Sequence, residues 1–526
     1  MKNINRIYVT LSLITTFWRV ELPAQITPYQ LQQFISANNH FAPAEIRFVP
    51  ALKEFYGRLN FTPVWIGKEN ENSLAHLLDI LKQSAGRGLN EKDYQFNFIE
   101  GIRTNTIRLQ SADDSLEAEL RFADAAIHFY NDIAYGNTRV ALGYNGLNYV
   151  PSCYNIPNLL AAHISGNTLH VLADRLSPAL PEIKALENKI SSFQLAMADH
   201  DFREVIIESG KVTGTNKPLV LKLYQLGMID SVYKNWPDIE LKEKVKEAQQ
   251  QFNLLADGVL RATILQELNV AMAVRLQQLQ LSLNYYRWLY CLIQNQSVIV
   301  VNIPAAYLKV YRYSNVVLEM RMVVGKKSTP TPTLASRVNE VILYPYWHVP
   351  YSIATKELLP ILKRYPRYIN EGNYQVLNKA GKIMDPYSIN WHSFSTKYFP
   401  YLIRQSTGCD NSLGLIKLNF YSPFGVYLHD TPNKNSFGLN LRYFSHGCMR
   451  MQKPMELGYL ILRNNTIAID SLEQKGCLRN QSPITVPADV QMPVIVWYNP
   501  AGIDSTGRVI FYNDVYRKFD WMKNRK

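Results

Sequence analysis

The residues with the clearest chemical potential lie between positions 427 and 450. Tyr427-Leu428-His429-Asp430-Thr431-Pro432 is followed by Ser445-His446-Gly447-Cys448-Met449-Arg450. A thiol attacks an acyl carbon well only as thiolate, so a nucleophilic cysteine needs a nearby base or cation. His429 is such a base, 19 residues upstream of Cys448 and within reach if the two lie on neighbouring strands. Gly447 lets the backbone approach a substrate and aims amide N–H groups at a developing oxyanion. Arg450 favours the thiolate and can grip a substrate carboxylate with two parallel hydrogen bonds. Taken singly, each has a plainer reading: a buried small hydrophobe, a structural histidine, a surface ion pair. Taken together they point to thiol-based acyl chemistry. A zinc site from Cys448, His446 and His429 is the other reading of these side chains, but no CxxC pair accompanies them, and no metal or cofactor is expected.

Such residues need strands to hold them. From residue 298 onward, apolar residues alternate with polar ones. Leu308 and Val310 alternate with Lys309 and Tyr311; Leu318, Met320, Met322 and Val324 alternate with Glu319 and Arg321. The Ser314-Asn315 turn between them makes a β-hairpin. Residues 341–344, 415–420, 426–429 and 494–498 are further strand candidates, so the region 297–500 reads as β-rich. Residues 352–405 form a polar, aromatic, partly helical insertion of the kind that serves as a lid or binding loop.

The chain before this region is helical. Leu74, Leu77, Leu78, Leu81 and Ala85 recur at helical spacing up to Gly86-Arg87-Gly88; Leu116, Leu120, Ala123 and Ile127 do so before Gly136. Residues 137–168, rich in Asn, Gly, Pro and Tyr, read as a long loop, and Pro181 opens a helix to about Met197. Residues 26–210 are thus a helical scaffold. Residues 217–284 form a small helical domain in which Asp257-Gly258 marks a turn and Thr263 is placed to cap the next helix. Residues 501–526 are left as a C-terminal tail.

Residues 1–25 read as an export signal, with Lys2 and Arg6 ahead of a mostly apolar run over 7–18 that is too short to span a bilayer comfortably. The protein is therefore expected outside the cytoplasm, in the periplasm, with membrane attachment only if the signal is retained. The 526 residues carry a net charge of +13, which suits an anionic partner; export makes nucleic acid a poor one. Five cysteines are too few for a disulfide framework, and their odd number leaves at least one free or paired with another chain.

The two active-site segments resemble the signature of the L,D-transpeptidases, whose catalytic domain is the YkuD type, and the flanks resemble the large, multidomain YcbB-like members. Val323-Val324-Gly325-Lys326, Pro345-Tyr346-Trp347-His348-Val349-Pro350 and Asn411-Ser412-Leu413-Gly414 carry the likeness through the β-rich region. Asp257-Gly258-Val259 and Leu268-Asn269 carry it through a peptidoglycan-binding-like domain, although Arg261-Ala262 stands where Gly-Pro is common. Pro63-Val64-Trp65 and Ala134-Tyr135-Gly136 carry it through the scaffold domain. His446 stands where close YcbB-like members often have Ser.

The resemblance implies an α+β chain: helical scaffold, small helical domain, then a β-rich catalytic domain with a capping insertion at 352–405. It implies that Cys448 attacks the third residue of a peptidoglycan tetrapeptide stem, releasing D-Ala and leaving a thioester. The side-chain amine of a diamino acid on a second stem then forms a 3→3 cross-link. His429 serves as base, with its ring oriented by a backbone carbonyl. Gly447, Cys448 and Tyr427 hold the oxyanion, while Arg450, His446, Ser445 and Trp347 position substrate. L,D-carboxypeptidase activity or attachment of wall proteins by the same thioester are alternatives, as is an inert wall-binding module. The sequence leaves the oligomeric state and the pairing of Cys409 with Cys477 open.

Overall fold

A computed structural model describes residues 26–36, 46–208 and 210–523; the export-signal segment lies outside them. The chain divides into two compact units. One holds the described residues up to Lys82, then Glu91–Tyr130 and Asn155–Ala173; the other holds Gln83–Asn90, Asn131–Tyr154 and everything from Asp174.

In the first unit the leucine spacing produces the helix Glu71–Lys82, with Leu77, Leu78 and Leu81 buried. The second periodic run lies on Ala112–Tyr135, which buries Leu120, Ala123 and Ile127 and ends before Gly136, at φ +82°. Glu119 of this helix is buried and accepts the amides of Val64, Trp65 and Ile66 and the hydroxyl of Tyr56. This anchors the Pro63-Val64-Trp65 loop. The expected long loop over 137–168 contains the helix Ile156–Ser165. The Asn155 side chain caps its first turn, Pro157 pre-sets the backbone, and Leu160 and Ala161 bury its apolar side. The Asn- and Pro-rich composition marks the start of this helix.

In the second unit Pro181–Ala198, Lys217–Gln225, Asp238–Gln251, Ala262–Leu268 and Met272–Asn295 are helices. Arg261, in extended backbone, stands at the cap position of Ala262–Leu268, so Thr263 falls inside the helix and does not cap it. Met272–Asn295 does not stop at 284. It is buried on all sides from Ser282 to Ile293 and runs into the first strand, Ser297–Asn302. A disulfide joins its Cys291 to Cys153. Residues 501–511 are no loose tail: Ala501–Ile503 and Val509–Phe511 form a hairpin. Phe511 packs against Phe193 and Phe252, with centroids 6.2 and 5.9 Å apart.

Ser297–Asn302, Tyr307–Arg312 and Asn315–Gly325 form an antiparallel meander, with positive φ at Tyr313 and Ser314, one residue earlier than the expected turn. The pairing continues through Met449–Met451, Leu428–His429 and Ile416–Phe420 to Leu334–Leu343. It then returns through Pro493–Trp497 to Ser297–Asn302, closing the path. Alternation divides its residues between two cores. Val298, Val300, Ile495 and Trp497 pack with the helices. Ile299, Val301, Leu418, Leu428, Met449 and Met451 pack with Leu457 and Ile461 of the helix Pro454–Leu462.

The insertion has its own core, including Leu358, Leu362, Trp391 and Ile403, and a sheet of Trp347–His348, Tyr374–Leu377, Ile383–Met384 and Leu402–Gln405. Its neck is closed by Asn411, whose amide donates to the carbonyls of Pro345 (3.0 Å) and Ser406 (2.8 Å). A second disulfide, Cys409–Cys477, lies just beyond.

Candidate active site

Strand register brings the chemistry together. His429 pairs with Lys417 on the antiparallel neighbour and with Arg450 on the parallel one. Paired residues on adjacent strands point to the same face, so Lys417, His429 and Arg450 form a row across three strands. Cys448 lies two residues before Arg450 on the turn that feeds its strand. The motifs that are far apart in sequence meet because Leu428 is opposite Met449.

The turn is braced from within. Ser445 is buried; its hydroxyl donates to the Cys448 carbonyl at 2.5 Å and accepts the Gly447 amide at 3.1 Å. Thr331 donates to the Gly447 carbonyl at 2.8 Å, and Thr329 to that of Ser445 at 3.1 Å. Gly447 has φ +116°, the left-handed region that disfavours a side chain. Ser445 is thus committed to shaping the turn and not to substrate, and the Gly447 amide is engaged inside the turn instead of facing an oxyanion.

Cys448 is the free cysteine among the described residues; the other four form the two disulfides. The Tyr427 backbone and hydroxyl both favour the Cys448 thiolate, and the Trp347 side chain in turn acts on the Tyr427 hydroxyl. The hydroxyl expected to serve an oxyanion thus acts on the Cys448 sulfur. The Tyr427 and His429 rings meet edge to face at 5.7 Å, and the Lys417 ammonium lies 4.2 Å from the Tyr427 ring centre.

His429 is buried, and its Nδ1 is 2.5 Å from the Asp430 backbone carbonyl. An acceptor there requires the proton on Nδ1, which leaves Nε2 as the basic nitrogen. The Asp430 carboxylate points elsewhere, accepting from the Leu415 amide and from Lys434. Burial, then the charges of Arg450 and Lys417, push the imidazole pKa down to about 3 against the Asp430 hydrogen bond. Burial also pushes the Cys448 thiol up, opposed by the Tyr427 hydrogen bonds and by Lys417 and Arg450. At rest the site thus holds a neutral thiol and a neutral imidazole.

Arg450 has a buried Nε with no hydrogen-bond partner among the described residues. A guanidinium in that condition suits an incoming carboxylate. His446 faces the insertion: its Nε2 is 2.7 Å from Glu357 Oε1. No group of side chains among the described residues is arranged to hold a metal. Lys417 and Glu357 are charged neighbours of these residues that the sequence did not reveal. Lys417 was visible as the polar position between buried Ile416 and Leu418, but the strand pairing that faces it to His429 has no local signal. Glu357 had none.

Residues 296–469 match the family model of the L,D-transpeptidase catalytic domain, YkuD, and residues 50–189 match a scaffold domain. A Haemophilus influenzae protein assigned as an L,D-transpeptidase is 36% identical over 218 residues, 41% of this chain and 44% of that protein; the chain thus spans under half of the curated relative's length. The solved L,D-transpeptidase from Mycobacterium smegmatis is 15% identical, covering 38% of this chain and 58% of its own at a TM-score of 0.18. That from Stackebrandtia nassauensis is 12% identical, covering 57% and 98% at a TM-score of 0.21. With the family match lying over the strand that carries His429 and the turn that carries Cys448, the chain bears an L,D-transpeptidase catalytic domain of the YkuD family behind a scaffold domain.

Proposed function

We propose that the protein is a peptidoglycan L,D-transpeptidase that forms 3→3 cross-links through a thioester on Cys448. The observation that carries this reading is the free Cys448, on the turn that feeds the strand beside a His429 whose Nε2 is left basic by the Asp430 carbonyl. In the first half-reaction the sulfur attacks the third stem residue's carbonyl while His429 takes the thiol proton. His429 then delivers that proton to the departing D-Ala amine. When the sulfur becomes acylated, the Tyr427 hydroxyl loses its thiolate partner and is free to turn to the carbonyl oxygen. The second half-reaction passes the acyl group to an amine on another stem. The unpartnered Nε of Arg450 suits the donor's carboxylate.

Two disulfides support an oxidising compartment, in keeping with export to the periplasm, and the +13 charge suits an anionic wall. Incubation with tetrapeptide-bearing muropeptides, read by mass, tests the reading. Dimers linked through third residues are expected from the native chain, and their formation by a Cys448→Ala variant would refute the thioester. Release of D-Ala with tripeptide as the sole product would make the enzyme a carboxypeptidase.

A further inference from the structure

The transpeptidase reading leaves a physical problem at its second step. The acceptor amine arrives as a cation at neutral pH, like a lysine side chain, while the row beside Cys448 carries Lys417 and Arg450. Both charges act on the sulfur, and both repel an ammonium. Some carboxylate has to bring it in. Asp430 is occupied by Lys434 and the Leu415 amide, and Glu340 by the Asn419 amide at 2.6 Å. Among the described residues, the carboxylate that touches the segment from Ser445 to Arg450 belongs to Glu357, through His446.

Glu357 is placed for exchange. It lies on Ala354–Leu358, a turn of π-helix in the insertion, a rare form concentrated at functional positions. Ala354 and Leu358 are buried in the insertion core and Thr355 is buried beside them, which fixes the turn and leaves Glu357 exposed. The Glu357 and His446 side chains are 49% and 35% exposed. A hydrogen bond between a neutral imidazole and a carboxylate, this open to water, is weak and can be traded for another. It also leaves His446 two residues from the nucleophile with nothing else required of it.

Resting on the transpeptidase reading, we infer that Glu357 is the acceptor-recognition residue: its carboxylate takes the ammonium of the incoming diamino acid, displacing His446, which then removes the ammonium proton. The balance is complete. The ammonium gives one proton to His446 and becomes a neutral amine. Its nitrogen attacks the thioester carbon, the C–N bond forms and the C–S bond breaks. The nitrogen's second proton passes through His429 to the leaving thiolate, and His446 returns its proton to water. The insertion thereby contributes the acceptor side of the site and the strands contribute the donor side. The enzyme is selective for cationic acceptors.

The test uses the full chain, a tetrapeptide donor, and an acceptor stem offered with its side-chain amine free or acetylated. In the Glu357→Gln variant the ratio of transfer to hydrolysis should fall at least ten-fold, with a raised KM for the acceptor, and Glu357→Asp should recover part of it. An unchanged ratio would overturn the inference. So would a parallel fall in acylation, hydrolysis and transfer, which is the mark of a merely structural bridge. A native chain that never acquires an acyl group would instead refute the transpeptidase reading itself.

Discussion

Cys448, the proposed nucleophile, has surroundings that pull in two directions. Burial disfavours its thiolate, while Lys417, Arg450 and two hydrogen bonds from Tyr427 favour it, and burial prevails. Such a thiol should react slowly with a small alkylating agent at neutral pH, and faster as pH rises toward its raised pKa. Lys417→Met removes one favourable charge, so the alkylation rate at pH 7 should fall by about three- to ten-fold, with the pH profile displaced toward alkali. A rate that stays put would mean Lys417 does not act on the sulfur. His429 gives a prediction of opposite kind. Its folded pKa of about 3 lies below the ordinary value, so the base form persists on descending through pH 6.5. The acylation profile should lack an acid limb there; a limb near 6.5 would assign the base to another imidazole. His429→Ala should cost about 10²–10⁴-fold in acylation rate, measured as adduct formation with a tetrapeptide stem by rapid quench and mass.

The strands that carry these residues were legible because their signal is local. Alternation in Leu308–Val310 and in Leu318–Val324 fixes which face is buried whatever the partner strand is. Helices were legible for the same reason where leucines repeat, as over Glu71–Lys82. What was not legible is non-local. Nothing within 501–511 announces that Phe511 fills a space between Phe193 and Phe252, and nothing near Ser445 says that its hydroxyl turns back to Cys448. The helix over Ile156–Ser165 was hidden by the residues that cap it, since Asn and Pro mark loops and helix starts alike. At this scale the anchor of the scaffold is Glu119. Glu119→Ala leaves the amides of Val64, Trp65 and Ile66 buried without their acceptor. A loss of about 2–4 kcal/mol is expected from denaturant unfolding of the full chain, and a change near zero would make the loop self-supporting.

For the molecule as a whole, the cysteines are the readable quantity. Two disulfides and one free thiol predict a single reactive thiol in the unfolded, unreduced protein and five after reduction; any other ratio would break the pairing scheme. Chain closure by Cys153–Cys291 spans 138 residues, so removing that bond alone, by replacing both of its cysteines with serine, should lower stability by about 3–5 kcal/mol. If the net charge of +13 serves the proposed anionic partner, binding to isolated wall should weaken as salt rises, and salt-independent binding would contradict it. All of this supports a reaction centred on one sulfur, and the most direct test is to weigh the protein. Mixed with a tetrapeptide stem and quenched in acid, the native chain should gain the mass of the donor less D-Ala. The adduct should map to Cys448 and disappear when an amine acceptor is added. Cross-linked product without that adduct, or made by Cys448→Ala, would contradict it.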